Sequence, residues 1–222
     1  VASGAEHFAW PIGKKSFKTL LLVGRLRKFL QEQKVDIIHA RSRVPAWIAY
    51  LAWRGMNPAT RPHFVTTVHG MYGVNRYSRI MTQGERVIAV SNTVRDYILR
   101  EYPDTPPWHI QVIHRGVDGQ AYPHGWKPDP VWQQAFFAQF PRAAGKLLVT
   151  LPGRITRLKG HEDFIELIAR LKRRGLPVHG LIVGGASTSK QRYLHKLRYR
   201  LRSMGLEADV TFTGQRDDLK NI

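Results

Sequence analysis

Arg154 and Lys159, with three glycine or proline positions, crowd one turn of this sequence. Residues 147–160 read LLVTLPGRITRLKG, with Gly153, Arg154, Lys159 and Gly160 between a β-prone run and the helix-like HEDFIELIARLKRR. Glycine lets backbone N–H groups approach a ligand closely. The start of a helix adds a positive end, and Arg154 and Lys159 add full charges. Together these residues can cradle a diphosphate. They also fit an ordinary strand-to-helix turn, in which Gly153 serves the bend and Arg154 is a solvated charge. Neither GxGxxG nor GxxxxGK[ST] is present, which disfavours a dinucleotide site or a P-loop.

The elements around this turn decide what it can serve. Strand-like runs alternate with helical ones along most of the chain. Residues 15–33 are expected to be helical, with Phe17, Leu20, Leu21, Phe29 and Leu30 on roughly one face. Strands are expected at 35–40, 63–70, 86–91 and 109–114. Helices follow Ser42 and Ser91, and Ser91 reads as a helix cap rather than a nucleophile. After residue 145 come the strands LLVTL, HGLIVGG and DVTFTG, separated by helices from His161 and across 189–205. Buried β-rich runs between helices indicate parallel sheets and an α/β fold. In such sheets ligands sit at the carboxyl ends of the strands. Those ends carry His39 and Arg41, His69 and Gly70, Arg115, Gly153 to Gly160, Gly184 and Gly185, and Gly214 to Arg216.

Three divisions are expected: an N-terminal Rossmann-like domain at 1–116, an interdomain linker with a short helix at 117–145, and a nucleotide-side domain at 146–222. The chain reads as a fragment of a longer two-domain protein, with both sheets incomplete. With 222 residues and 43% hydrophobic content it can bury a core. It has no cysteine, which excludes disulfides, thiolate metal sites and a cysteine nucleophile. Lys and Arg total 35 against 16 acidic residues, a formal net charge of +19. Such a chain seeks polyanions: nucleic acid, anionic lipid or phosphorylated ligands. No RNA- or DNA-binding module is visible. The basic stretch KQRYLHKLRYRLR (190–202) reads as a helix packed on the sheet with a solvated cationic face.

PGRITRLKGHEDFIEL resembles the GR-x4-KG segment of retaining glycosyltransferases of family 4, also called group 1. Other stretches agree in order: DIIHARS, VTTVHG, RVIAVSNTVRDYI, VIHRGVD, LIVGG and VTFTGQRDDL. In VIHRGVD, Arg115 stands where the family more often has Asn. The resemblance covers roughly residues 35–222.

That resemblance implies a GT-B fold and transfer of a sugar from a nucleotide-sugar donor, of the UDP type, with retention of anomeric configuration. It implies no cofactor and no metal. Arg154 and Lys159 would hold the donor diphosphate and stabilise its charge as it leaves. Gly153, Gly184 and the Gln215–Arg216 backbone would line the nucleotide. His69 would face the transferred sugar, and His39 and Gly70 are acceptor-side candidates. The acceptor would be a glycan or lipid-linked molecule of lipopolysaccharide or other cell-surface polysaccharide biosynthesis. The protein would be cytoplasmic, peripheral at the inner face of the cytoplasmic membrane, where a +19 chain suits an anionic leaflet. The family's E-x7-E segment would lie beyond Ile222, so this chain alone is expected to be inactive. A non-catalytic nucleotide-sugar binder and, on charge alone, a nucleic-acid-binding protein are the competing readings.

Overall fold

The computed structural model describes residues 4–13 and 16–222. The chain divides into two compact units, Val1–Gly116 and Val117–Ile222. The first holds four parallel strands in sequence order: β1 (Ile37–Ala40), β2 (His63–Val68), β3 (Arg86–Ala89) and β4 (Ile110–Val112). Helix α1 (Leu22–Glu32) precedes the sheet and packs on α2 (Arg43–Arg54), which joins β1 to β2. Helix α3 (Asn92–Glu101) joins β3 to β4. Ser91 opens α3 as a cap, its Oγ accepting from the Val94 N–H at 3.2 Å. Phe64, Val68, Val87 and Ala89 of the strands meet Ile48 and Ile98 of the helices in one core.

The second unit holds three parallel strands, β5 (Leu147–Pro152), β6 (Val178–Val183) and β7 (Val210–Gly214), with β6 in the middle. Every residue of β6 is buried, because a central parallel strand is covered on both faces. Its side chains alternate. Val178 and Ile182 pack with residues of α5 (His161–Arg173) and α6 (Gln191–Ser203). Leu181 and Val183 pack against Phe136 of α4 (Pro130–Gln139).

Two expectations meet a different arrangement. The helix expected from residue 15 starts in part outside the described residues, and Phe17–Leu21 form a 3-10 turn before α1. A 3-10 turn repeats every three residues, so it breaks the 3.6-residue face. Phe17 is 92% exposed and Leu21 79%, while Leu26 and Leu30 enter the core. Within 117–145, expected to be a linker, α4 belongs to the second unit's packing. The Arg216 guanidinium bonds Asp218 (Nε to Oδ1, 2.7 Å) and Gln139 Oε1 at 3.0 Å, and Trp132 Nε1–H donates to Asp218 Oδ2 at 2.8 Å. The bonds from Arg216 and Trp132 hold the Asp218 carboxyl down at about 2. Among the described residues no helix is long and apolar enough to cross a membrane.

Two histidines are sealed in the second unit. His179 shares a 2.8 Å hydrogen bond with Thr211 Oγ1, and His161 Nδ1 lies 3.1 Å from the Thr156 carbonyl. The other ring nitrogen of each is buried with no hydrogen-bond partner among the described residues. Burial pushes both below the ordinary value of 6.5, outweighing the Thr156 carbonyl at His161 and Asp209 at His179. The unfolded chain therefore binds more protons below that value, and folding stability is lost as pH falls through it. Urea denaturation should give constant stability above about pH 6.5 and a decline toward about pH 5. A flat profile across that range would contradict the burial of neutral rings.

Candidate functional site

Parallel strands bring their carboxyl ends to one edge of each sheet. In the second unit the chain leaves β5 through Gly153, Arg154 and Ile155. It then makes a 3-10 turn, Arg157–Lys159, and enters α5 through Gly160 in the left-handed conformation (φ 69°, ψ 28°). Pairing with the β6 end continues past the strand. Gly153 N–H donates to the Val183 carbonyl at 2.8 Å, and Ile155 N–H to the Gly185 carbonyl at 3.0 Å. Gly184 lies between these bonds at φ 154°. A Cβ there would stand 2.0 Å from the Gly153 carbonyl oxygen. Only glycine lets the two strand-end loops approach this closely.

Arg154 and Lys159 are both exposed on this turn, and among the described residues neither forms an ion pair. The Lys159 stem lies over Gly153, its Cδ 3.4 Å from where a Cβ would be, so the ammonium is carried on a packed stem. Beneath the turn, buried Ile155 and the His161 bond to the Thr156 carbonyl pin the loop to the core. Glu162 and Asp163 occupy the first turn of α5 and oppose an anion there. Glu162 is drawn to α6 by Lys196 at 3.2 Å and Arg200 at 3.9 Å, which leaves Asp163 as the nearer competing charge. Gln215 lies against Gly185, exposed at the end of β7. The Arg216 side chain is committed to Asp218 and α4, so only its backbone is free to line a ligand. No group of three or more His, Cys, Asp or Glu suited to a metal ion occurs among the described residues.

The first unit gathers a different set. His39 lies on β1, its Nε2 2.6 Å from Thr67 Oγ1 on β2. His69 follows β2, and its N–H donates to the Tyr72 hydroxyl at 3.3 Å. Its Nδ1 is hydrogen-bonded by the guanidinium of Arg115, which follows β4. Partial burial lowers His69 from the ordinary value, with Arg115, Arg41 and His39 adding to it. His39 is lowered by partial burial and then by Arg41. Neutral imidazoles are favoured at both positions. A Cβ on Gly70 would meet open space, so nothing within the unit requires glycine there. Arg41 and Arg115 were visible as strand-end residues. Their action on His69 was not, because nothing in the sequence joins positions 28 or 46 residues apart. The buried His161 was likewise hidden inside a helix-start pattern.

Residues 4–120 match the family described as Glycosyltransferase Family 4, and residues 133–222 the one described as Glycosyl transferases group 1. A curated relative, alpha-maltose-1-phosphate synthase of Mycolicibacterium smegmatis, is 29% identical over 134 residues, 59% of this chain and 33% of that protein. A glycosyltransferase from Rickettsia africae has a similar structure (TM-score 0.75, 27% identity, 97% of this chain and 56% of that one). So does HepE of Anabaena with UDP and glucose (TM-score 0.76, 21% identity, 96% and 56%). The chain thus spans about a third of that curated relative and a little over half of each structure. Two parallel-sheet α/β units of this kind define a GT-B fold. The chain belongs to glycosyltransferase family 4.

The glycines at the two units' strand ends should differ in tolerance. Gly184→Ala should destabilise the protein by about 2–3 kcal/mol in chemical denaturation, because the new methyl overlaps backbone. Gly70→Ala should stay within about 0.5 kcal/mol of the parent. Equal stabilities for the two variants would contradict the close approach of the loops.

Proposed function

We propose that this chain carries the donor-diphosphate site of a retaining, metal-independent glycosyltransferase. The reaction would move a sugar from a nucleotide-sugar to a glycan or lipid-linked acceptor. The observation that carries this reading is that Arg154 and Lys159, which form no ion pair among the described residues, stand on a hydrogen-bonded strand-end turn at the start of α5. As the sugar–phosphate bond breaks, negative charge grows on the leaving diphosphate, and two cations beside it favour that state over the ground state. Gly153, Gly184 and the Gln215–Arg216 backbone line the nucleotide. His69 faces the transferred sugar, with His39 and Gly70 on the acceptor side. HepE, similar in structure, is described with UDP and glucose, which makes uridine diphosphate the first donor nucleotide to test.

An apolar hollow of about 530 Å³ in the first unit favours an acceptor with an apolar part. Phe17, Leu20, Trp47 and Ile48 are among its walls. Together with the +19 charge, it supports a lipid-linked acceptor of lipopolysaccharide or cell-surface polysaccharide synthesis, met at the cytoplasmic membrane face. Salt-reversible cosedimentation with vesicles containing anionic lipid checks that part, and no cosedimentation at low salt removes it.

A thermal-shift screen of uridine, guanosine and adenosine diphosphates tests the donor site. One of them should stabilise the protein by about 2.7 kcal/mol at a hundredfold excess over its Kd. Arg154→Ala should weaken that binding about tenfold to a hundredfold. No response to any of the three, together with tight duplex DNA binding of steep salt dependence, would overturn the reading in favour of a nucleic-acid-binding protein.

A further inference from the structure

We propose that Arg115 is a positioning residue that fixes the tautomer of His69, holding Nδ1 as an acceptor so that the ring presents Nε2–H as a donor. The inference rests on the proposed place of His69 beside the transferred sugar. Its physical ground is independent of that role. A guanidinium carries only donors and is not deprotonated in proteins. The Arg115 Nη2 group bonded to His69 Nδ1 therefore leaves that nitrogen one part to play, that of acceptor. In a neutral imidazole the proton must then sit on Nε2.

The surroundings reinforce the assignment. The His69 backbone is held by its N–H bond to the Tyr72 hydroxyl, and Tyr72 is held in turn where its carbonyl accepts from the Tyr97 hydroxyl of α3. The Arg43 guanidinium of α2 lies 5.2 Å from the Tyr72 ring centre. The charged and titratable groups acting on the ring are Arg115 after β4, Arg41 after β1 and His39 on β1. All three are basic, and no carboxylate is among them. A second proton on His69 would face a guanidinium already occupying its site, so the ring is kept neutral as well as oriented. A neutral ring of fixed tautomer suits a hydrogen bond to a sugar oxygen and not proton delivery by an imidazolium. Arg115 stands where the resembling family more often has Asn, so this device is a property of this chain's own residues.

Nitrogen-15 NMR of the histidine-labelled chain reads the tautomer without substrate. In the unmodified protein at about pH 7.5 the His69 resonances should show protonated Nε2 and bare Nδ1. Arg115→Leu removes the donor and should populate both tautomers, with the His69 titration midpoint moving up toward its ordinary value. Arg115→Lys keeps a cationic donor and should retain the original tautomer. A protonated Nδ1 in the unmodified protein would overturn the proposal. So would an unchanged tautomer and midpoint in a folded Arg115→Leu protein. If that variant does not fold, the unmodified spectrum and the lysine variant still decide. Uridine diphosphate binding through Arg154 is measured separately, so failure of the donor-site reading would be seen independently of the His69 result.

Discussion

The carbonyl of Gly153 occupies the place where a side chain on residue 184 would begin. That close approach of two backbones is the constraint on which the second unit's strand-end architecture depends. It lets the loops after β5 and β6 stay paired beyond the strands, through the Gly153 and Ile155 amides. Pairing there fixes where Arg154 leaves the backbone, and Gly153, bare of a side chain, gives the Lys159 stem a surface to lie on. Below, Ile155 and His161 anchor the turn in the core that α5 and α6 share with the sheet. The backbone that carries the cations is thereby held by apolar packing and hydrogen bonds, and among the described residues neither cation has a carboxylate partner. Such prearranged charge stabilises a developing anion with little reorganisation.

The first unit solves a different electrostatic problem. It brings two histidines and two arginines to the carboxyl end of its sheet, with every charge acting on His69 of one sign. With partial burial, this favours neutral imidazoles in a strongly basic chain. Hydrogen bonding then orients them, through Thr67 for His39 and through Arg115 for His69. The hollow beside Trp47 and Ile48 lies in the same unit, so a polar cluster and an apolar hollow share one scaffold.

Much of this was legible in the sequence because the physics is local. Runs such as LIVGG and VIAVS are apolar on both faces, as buried parallel strands must be, and glycines or a capping serine mark where they give way to helices. The turn bearing Arg154 and Lys159 could be read from its residues as either an anion cradle or an ordinary turn, and the order of similar segments gave it a family. What could not be read was non-local or broke the expected period. Phe17 and Leu21 fit a helical face on paper but lie on a 3-10 turn and are exposed. Helix α4 reads as linker because its tie to the sheet runs through Trp132, Asp218, Arg216 and Gln139, side chains far apart in sequence. The Arg115–His69 bond is hidden for the same reason, and so is the commitment of the Arg216 side chain to structure rather than ligand.

The central claim is that the turn from Gly153 to Gly160 is where a nucleoside diphosphate binds. Backbone amide shift mapping with uridine diphosphate addresses it most directly, because it reports position as well as affinity. The account predicts saturable shifts concentrated at residues 153–160 and at Gly184 and Gly185, which are paired with that turn. Saturable binding whose shifts fall elsewhere, with the amides of 153–160 unmoved, would contradict it.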